Sequence, residues 1–404
     1  LFLAHRVPYP PDRGDKMRSY HLLRQLAGLG RVHLCTFADD AADLAHADAL
    51  RPIVGRLHVE RRTRRKAVAG LASVLRGRPV SVEAFASRSM QAAVTAILKA
   101  EPIDTVFVFS GQMAQFVPAV SPRFVMDFVD VDSAKFADYG RASRGSIGWL
   151  HRREARLLAG FERAVAARAD LSLFVSDAEA AIFRSTVAAS GSEIAVVENG
   201  IDLTAYAPDA DFRPLTPEQR GPGPLIVFTG QMDYRPNVEA ALRFAGKVMP
   251  ALRAVHPEAR FAVVGRSPDP ALRRIDGVGG VHVTGAVTDV RSWLSAADIV
   301  VAPLEIARGI QNKVLEGMAM ARPVVATRAA FEGIDAVPGR DLIVAQVDVM
   351  AAAILSLIAD PDAARALGAA ARALVERRYA WEARLAPLAA MVGRAAPPGL
   401  DAAA

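Results

Sequence analysis

Cysteine is almost missing from this chain: Cys35 is the only one among 404 residues. A single thiol closes no intrachain disulfide and assembles no cysteine-based zinc site, so a reducing cytoplasm is the simplest home. Aromatic residues are scarce at 6%, and none interleaves with the densest basic run, Arg61 to Lys66. The stacking platforms that single-stranded nucleic acid requires are therefore lacking, and no nucleic-acid partner is expected. No stretch holds the roughly 18 uninterrupted apolar residues of a membrane span. The opening Leu1–Ala4 run meets His5 and Arg6 at once, too soon for a signal peptide, and reads as what remains of a first strand in a trimmed chain. No Gly-x-Gly-x-x-Gly follows a candidate strand, which argues against an NAD-dependent oxidoreductase. No Gly-x-Ser-x-Gly elbow is present, and no carboxylate pair can be placed across a glycosidic centre. Neither charge sign dominates: 49 basic residues stand against 43 acidic, a net +6 that permits an anionic substrate or membrane surface.

What the chain does have is length and alternation. Its 404 residues suggest two domains, and 52% hydrophobic with 23% charged residues fits a packed enzyme. Short apolar runs alternate with alanine- and arginine-rich helical stretches, the pattern of βαβ units and parallel sheets. In the first half the expected strands are 1–4, 32–37, 105–110, 123–127, 171–175 and 194–198, with helices at 17–29, 87–100, 149–168 and 177–188. A stretch with Pro208, Pro214, Pro217, Pro222 and Pro224 reads as a linker over 206–224. Strands then resume at 225–229, 260–264, 281–284, 299–303 and 324–327, and one long helical stretch closes the chain over about 361–393. The expected domains are 1–205, 206–376 and a terminal helix and tail, 377–404. Ligands of open parallel sheets sit at the carboxyl ends of the strands, so the chemistry belongs to strand-to-helix loops lining a cleft between the halves.

The richest such loop follows the 299–303 strand, with a helix opening near Ile310 and running to about Ala321. Gly309 lets a ligand come close, and the free amides of a helix N-terminus stabilise diphosphate. Lys313 adds a point charge; Glu316, one turn on, can accept hydrogen bonds from two vicinal hydroxyls such as a ribose pair. The plain alternative is an amphipathic helix whose Lys and Glu face solvent.

This block resembles the donor-binding signature of glycosyltransferase family 4, the retaining GT-B enzymes, Glu-x7-Glu followed by a Gly-x-Pro-Val-Val-like strand. The resemblance implies two Rossmann-like doubly wound domains facing across a cleft, an acceptor-binding one first and a nucleotide-sugar-binding one second. The family's ribose-binding Glu matches Glu316, and its sugar-contacting Glu falls on Arg308. The run Arg308-Gly309-Ile310-Gln311-Asn312-Lys313 is similar to a subgroup associated with exosortase/PEP-CTERM exopolysaccharide loci. Other segments match in order. Asp12 to Lys16, with Gly14, resembles the N-terminal glycine loop, and Glu198 to Asp202 resembles a Pro-Asn-Gly-Val-Asp element. Val263-Val264-Gly265-Arg266 resembles the strand end that approaches the base, Gly285 to Asp289 a loop that contacts it, and 379–382 the last helix.

Gly230-Gln231 departs from the family, which places Arg after that glycine and Lys about five residues later. Arg235 comes one place early, so Arg235, Lys313 and the amides after Gly309 are expected to share the phosphate charge; an exposed turn residue is the alternative reading of Arg235. Asp130 follows a first-half strand and is expected on the acceptor side, where the family often has His or Asp. His5, at the end of the first strand, either lines the cleft or is simply packed. The basic run leads into a helix with Val68, Leu71, Val74 and Leu75, so 61–75 is a candidate anionic membrane surface, a solvated helix face being the alternative.

The expectation is a retaining glycosyltransferase that moves a sugar from a nucleoside-diphosphate donor to a glycan or lipid-linked acceptor in exopolysaccharide biosynthesis. The protein would be cytoplasmic or peripheral on the inner membrane face. The rivals are a sugar-nucleotide epimerase of the same fold and a non-catalytic nucleotide-sugar binding protein. No cofactor is expected, and no metal, because Asp130-Val131-Asp132 offers too few oxygen ligands for a hard cation. Titration with EDTA should accordingly leave transfer activity unchanged; a loss restored by Mg²⁺ or Mn²⁺ would overturn this.

Overall fold

The computed structural model describes residues 1–11, 14–62, 66–187, 193–307 and 310–393. The chain divides into two compact units, Leu1–Asn199 with Arg384–Ala404, and Gly200–Ala383. The expected breaks after 205 and 376 are therefore corrected to 199/200 and 383/384. Among the described residues, no helix is long and apolar enough to cross a membrane.

The first unit is built on seven parallel strands: β1 (Phe2–Ala4), β2 (Leu34–Ala38), β3 (Leu57–Arg61), β4 (Thr105–Phe109), β5 (Arg123–Val129), β6 (Leu171–Phe174) and β7 (Glu193–Val196). Their order is β3-β2-β1-β4-β5-β6-β7. Helices on both faces bury the inner strands, which is why β1, β2 and β4 read as near-continuous apolar runs rather than alternating ones. By contrast β3 is an edge strand, half-buried and carrying His58 and Glu60, and its weak pattern hid it from the sequence reading.

The second unit has six parallel strands: β8 (Leu225–Thr229), β9 (Arg260–Val264), β10 (Val281–Gly285), β11 (Ile299–Ala302), β12 (Val324–Ala326) and β13 (Ile343–Val344). Their order is β10-β9-β8-β11-β12-β13. Only the two-residue β13, too short for a period, was missed in this unit.

Both sheets are doubly wound, and strand order reverses between β1 and β4 in one and between β8 and β11 in the other. A crevice forms outside the carboxyl ends at such a reversal, because the flanking helices leave to opposite faces.

Two expectations fail for tertiary reasons. The proline-rich stretch 206–224 is no linker but part of the second unit. Phe212 and Leu215 pack on its core, Ser292 Oγ donates to the Arg213 carbonyl at 2.6 Å, and Thr216 caps a short helix, Pro217–Arg220. The terminal stretch is not one helix but three, Pro361–Arg378, Trp381–Leu385 and Leu388–Met391. It breaks where Tyr379 is buried and its carbonyl accepts from Ile201 N at 2.7 Å, with Ala380 bridging Ile201. Propensity favoured continuing the helix; the pairing with Ile201 overrides it.

Arg18, on the helix Gly14–Leu29, holds the first unit's centre together. Its guanidinium is 1% exposed and donates to Asp127 Oδ2 at 2.9 Å, Val197 O at 2.7 Å and Asn199 Oδ1 at 2.9 Å. Arg18→Met would strand the buried Asp127 carboxylate, so urea denaturation should report a loss of about 3–5 kcal/mol.

Candidate active site

In the second unit the reversal lies between β8 and β11, and the loops leaving these strands carry the candidate donor residues. Gly230 follows β8, its amide bonded to Val264 O at 3.0 Å, while Met232 N donates to Arg266 O at 3.0 Å. The loops after β8 and β9 are thus zipped together. The closeness demands glycine, since a Cβ on Gly265 would stand 1.7 Å from the Gly230 carbonyl oxygen. Arg266 and Gln231 are exposed beside each other, Arg266 Nη2 donating to Gln231 Oε1 at 3.3 Å.

After β11 the chain passes Leu304, Glu305 and Ile306 before Arg308 and Gly309, which lie outside the described residues. Ile310 is half-buried against the unit's core, and Gln311 is the N-cap of the helix Asn312–Ala319. The helix thus opens two residues later than expected. Gln311 makes no side-chain capping bond, its carbonyl accepts from Val314 N at 2.9 Å, and Asn312 at the helix head is exposed, where the amides of a helix N-terminus can meet an anion.

Lys313, in that first turn, does not face open solvent. Its ammonium donates to Asn237 Oδ1 at 2.6 Å and lies 4.9 Å from the centre of the Phe228 ring. Asn237 is fixed in turn, its Nδ2 donating to the Gln231 carbonyl at 2.9 Å. Burial pulls the Lys313 pKa down to about 8, against the opposing pull of Glu316. Burial likewise raises the Glu316 carboxyl, while Lys313 and a hydrogen bond from the Tyr206 hydroxyl favour its ionised form. Tyr206 is itself raised by burial and by Glu316. Its segment is clamped by Arg372, which donates to Tyr206 O at 2.9 Å and to Ala319 O, at the end of the donor helix, at 2.6 Å. Arg291 adds a bond to Ala205 O at 3.0 Å while paired with Asp289 at 2.6 Å.

Gly230, Gln231, Gly265, Lys313 and Glu316 are therefore brought to one edge. Arg235 is not: it begins the helix Arg235–Lys247, is 87% exposed and pairs with Glu239 at 2.7 Å, the solvent-facing reading. The sequence reading missed Asn237, Phe228 and Tyr206. Asn237 had a signal, eight residues past the end of β8 at the opening of a helix. Tyr206 had none, because only the packing of the expected linker brings it to Glu316.

At the carboxyl edge of the first unit, Gly14 begins its helix with open space around it. His5 is packed rather than free, stacked 5.6 Å from Phe109 with Nε2 at 3.3 Å from Asp15. Asp130 is exposed just past β5. A register shift between Asp127 and Val129, with Val129 at φ +71°, turns the chain there. Such a conformation is costly for a β-branched residue and is held by Asp127 Oδ1, which accepts from Val129 N at 3.1 Å. Glu179 and Glu162 fix the following turn by accepting from Val131 N at 2.7 Å and Ser133 N at 3.0 Å.

Two doubly wound units, one ending in a phosphate-type helix terminus with Lys and Glu beside it, describe a protein that handles nucleotide sugars. Residues 223–360 match the family model described as "Glycosyl transferases group 1". The chain is 28% identical over 259 residues to a GDP-mannose-dependent alpha-(1-6)-phosphatidylinositol monomannoside mannosyltransferase of Mycolicibacterium smegmatis, covering 58% of this chain and 67% of that one. The fold matches sucrose-phosphate synthase from Thermosynechococcus elongatus, with TM-score 0.61, 20% identity and 96% and 97% of the two chains covered. It equally matches Anabaena HepE in complex with UDP, with TM-score 0.61, 14% identity and 97% and 98% covered. The fold is thus of the GT-B class, with two Rossmann-like parallel-sheet domains, and the chain is a glycosyltransferase.

Lys313 sets a pH dependence. As pH rises through about 8 the free site loses its ammonium, so affinity for a nucleoside diphosphate should fall between about pH 7 and 9. Calorimetric titration of Lys313→Met should give weaker binding that is flat over the same range.

Proposed function

We propose that the chain moves a sugar from a nucleoside-diphosphate sugar to a hydroxyl of a lipid-linked or polysaccharide acceptor, with retention at the anomeric carbon. The observation that carries this is the pairing of Lys313 and Glu316 at the head of the helix Asn312–Ala319, with Asn237 and Tyr206 holding each in place. Bond breaking at the anomeric carbon needs stabilisation of the departing diphosphate, which fixed amides and the Lys313 ammonium supply without reorganisation. Glu316, with one oxygen engaged by Tyr206, keeps acceptor capacity for ribose hydroxyls. Asp130, on the exposed turn after β5, serves the acceptor side. No metal takes part in this reading.

GDP-mannose is the donor to try first, because the mycobacterial relative is named for it, and that name also speaks for a lipid-linked acceptor. Retention rests on the family resemblance. A role in exopolysaccharide biosynthesis at the inner membrane face rests on the likeness of 308–313 to the exosortase/PEP-CTERM-associated subgroup. A second reading, a binding protein without transfer, is favoured by one observation: Arg235 turns to Glu239, and Gln231 stands where the family has Arg.

A thermal-shift screen with UDP, GDP, ADP and TDP and their sugar conjugates tests the donor pocket. A base-selective rise is expected, and Glu316→Ala should weaken binding about ten- to a hundredfold by removing hydrogen bonds to a charged acceptor. No shift with any nucleotide would sink the reading. Donor consumed without acceptor would point to an epimerase, and binding without turnover to the non-catalytic reading.

A further inference from the structure

Over the ends of β11, β12 and β13 the second unit carries a pocket of about 730 Å³ whose lining does not include Lys313 or Glu316. Three loops build it. Glu305 comes from the loop after β11, Thr327, Arg328, Phe331 and Glu332 from the loop after β12, and Gln346 from the loop after β13. The volume is that of a small-molecule site, and the carboxyl ends of parallel strands are where such sites form.

The walls are fixed while several polar groups are unengaged. Thr327, 1% exposed, donates its hydroxyl to the Leu304 carbonyl and accepts from Ala330 N at 3.3 Å, tying the loop after β12 to the loop after β11. Ala345 N donates to Ala326 O at 2.9 Å and holds the third loop beside them. Phe331 is half-buried against the unit's core. Among the described residues the side chains of Arg328, Glu332 and Gln346 have no ion-pair or hydrogen-bond partner, and all three are exposed. Glu305 pairs with Arg243 of the helix Arg235–Lys247 at 2.8 Å. Two carboxylates thus stand against two guanidiniums. A charge-balanced pocket with a free carboxylate, an amide, a guanidinium and an aromatic ring suits an uncharged ring rich in hydroxyls. A uronate would meet Glu305 and Glu332 as well as Arg328, and finds no net attraction there.

The pocket also lies in the direction the proposed donor takes. Gly333, at φ +82°, turns the chain after Glu332 against Ile310, two residues before Asn312; a Cβ on Gly333 would stand 3.4 Å from Ile310 Cγ1. The Tyr206–Glu316 end of the donor site lies toward β10, because Arg291 of the helix Val290–Ala296, which follows β10, donates to Ala205 O. Lys313 and Gly230 stand at the β8–β11 reversal. A donor with its ribose at Glu316 and its diphosphate at Lys313 therefore runs toward β12, one strand spacing or about 4.8 Å further on.

We propose that Arg328, Glu332 and Gln346 select the sugar of the donor, and that this sugar is an uncharged hexose. The selection rests on the donor site proposed above and adds to it the side chains that read the sugar's hydroxyls.

Calorimetric titration of the full chain compares GDP with GDP-mannose and GDP-mannuronate, and UDP with UDP-glucose and UDP-glucuronate. With the base that binds, the neutral conjugate should bind about tenfold more tightly than the uronate. Glu332→Ala should weaken the neutral conjugate about tenfold and Gln346→Ala about threefold, both leaving the bare diphosphate as in wild type. Both positions are exposed, so the variants should fold. Equal losses for diphosphate and conjugate, no loss for either, or a preference for the uronate would each overturn the proposal while leaving the donor site standing. Failure of the wild type to bind any of these ligands would instead sink the donor site, and the selection with it.

Discussion

An ammonium group taken most of the way out of water must be held by something. In the second unit Lys313 is held by one amide oxygen, Asn237 Oδ1, and the face of Phe228, while burial lowers its pKa to about 8. The surrounding order follows from the need to keep that cation near the strand ends. Asn237 is anchored to the Gln231 carbonyl, which fixes the loop after β8. That loop closes on the loop after β9 only because Gly265 lacks a side chain, and Glu316 supplies the counter-charge one turn along the same helix. Under the proposed function a diphosphate is the anionic partner of that ammonium.

The first unit handles charge in the opposite manner. Arg18 is held by Asp127, Val197 O and Asn199, and Lys16 by Asp43 at 2.6 Å, so these two buried cations are engaged in structure. At its carboxyl edge Asp130 is exposed after a β5 bulge, and Ser110 and Val129 both adopt positive φ. Acidic, pre-shaped loops suit the recognition of hydroxyls, and a cationic helix terminus suits the recognition of phosphates.

How much of this was legible beforehand depended on whether the signal was local. Of the inner strands, β8 was placed at its bounds as Leu225–Thr229 and β4 within a residue, because runs such as Leu-Ile-Val-Phe-Thr are too apolar for anything but a strand buried on both faces. The edge strand β3 and the two-residue β13 carried no such excess. Lys313 and Glu316 could be singled out because strand, glycine loop and helix follow one another within twenty residues. Arg235 was chosen because it comes one place early for the lysine that the resembled family sets after that glycine, and the geometry of its helix directed it instead to Glu239, one turn away. Tyr206 was assigned to a linker, since prolines signal irregular backbone but not where that backbone packs.

By itself the sequence determined that the chain alternates strands and helices in two series, that each series makes a parallel sheet, and that a lysine and a glutamate stand at the head of one helix. These follow from periodicity and spacing, which are properties of neighbours. Only the tertiary structure decided that Tyr206 reaches Glu316, that Asn237 holds Lys313, that the last helix breaks at Tyr379, and that the apolar side of the helix Lys66–Arg76 faces outward. The first three join residues 76 or more positions apart, and the last depends on which side of a helix its neighbours cover. Neither kind of information is present in a local pattern, because the same stripe of leucines serves equally well as a core face or as an exposed one until the rest of the fold has chosen.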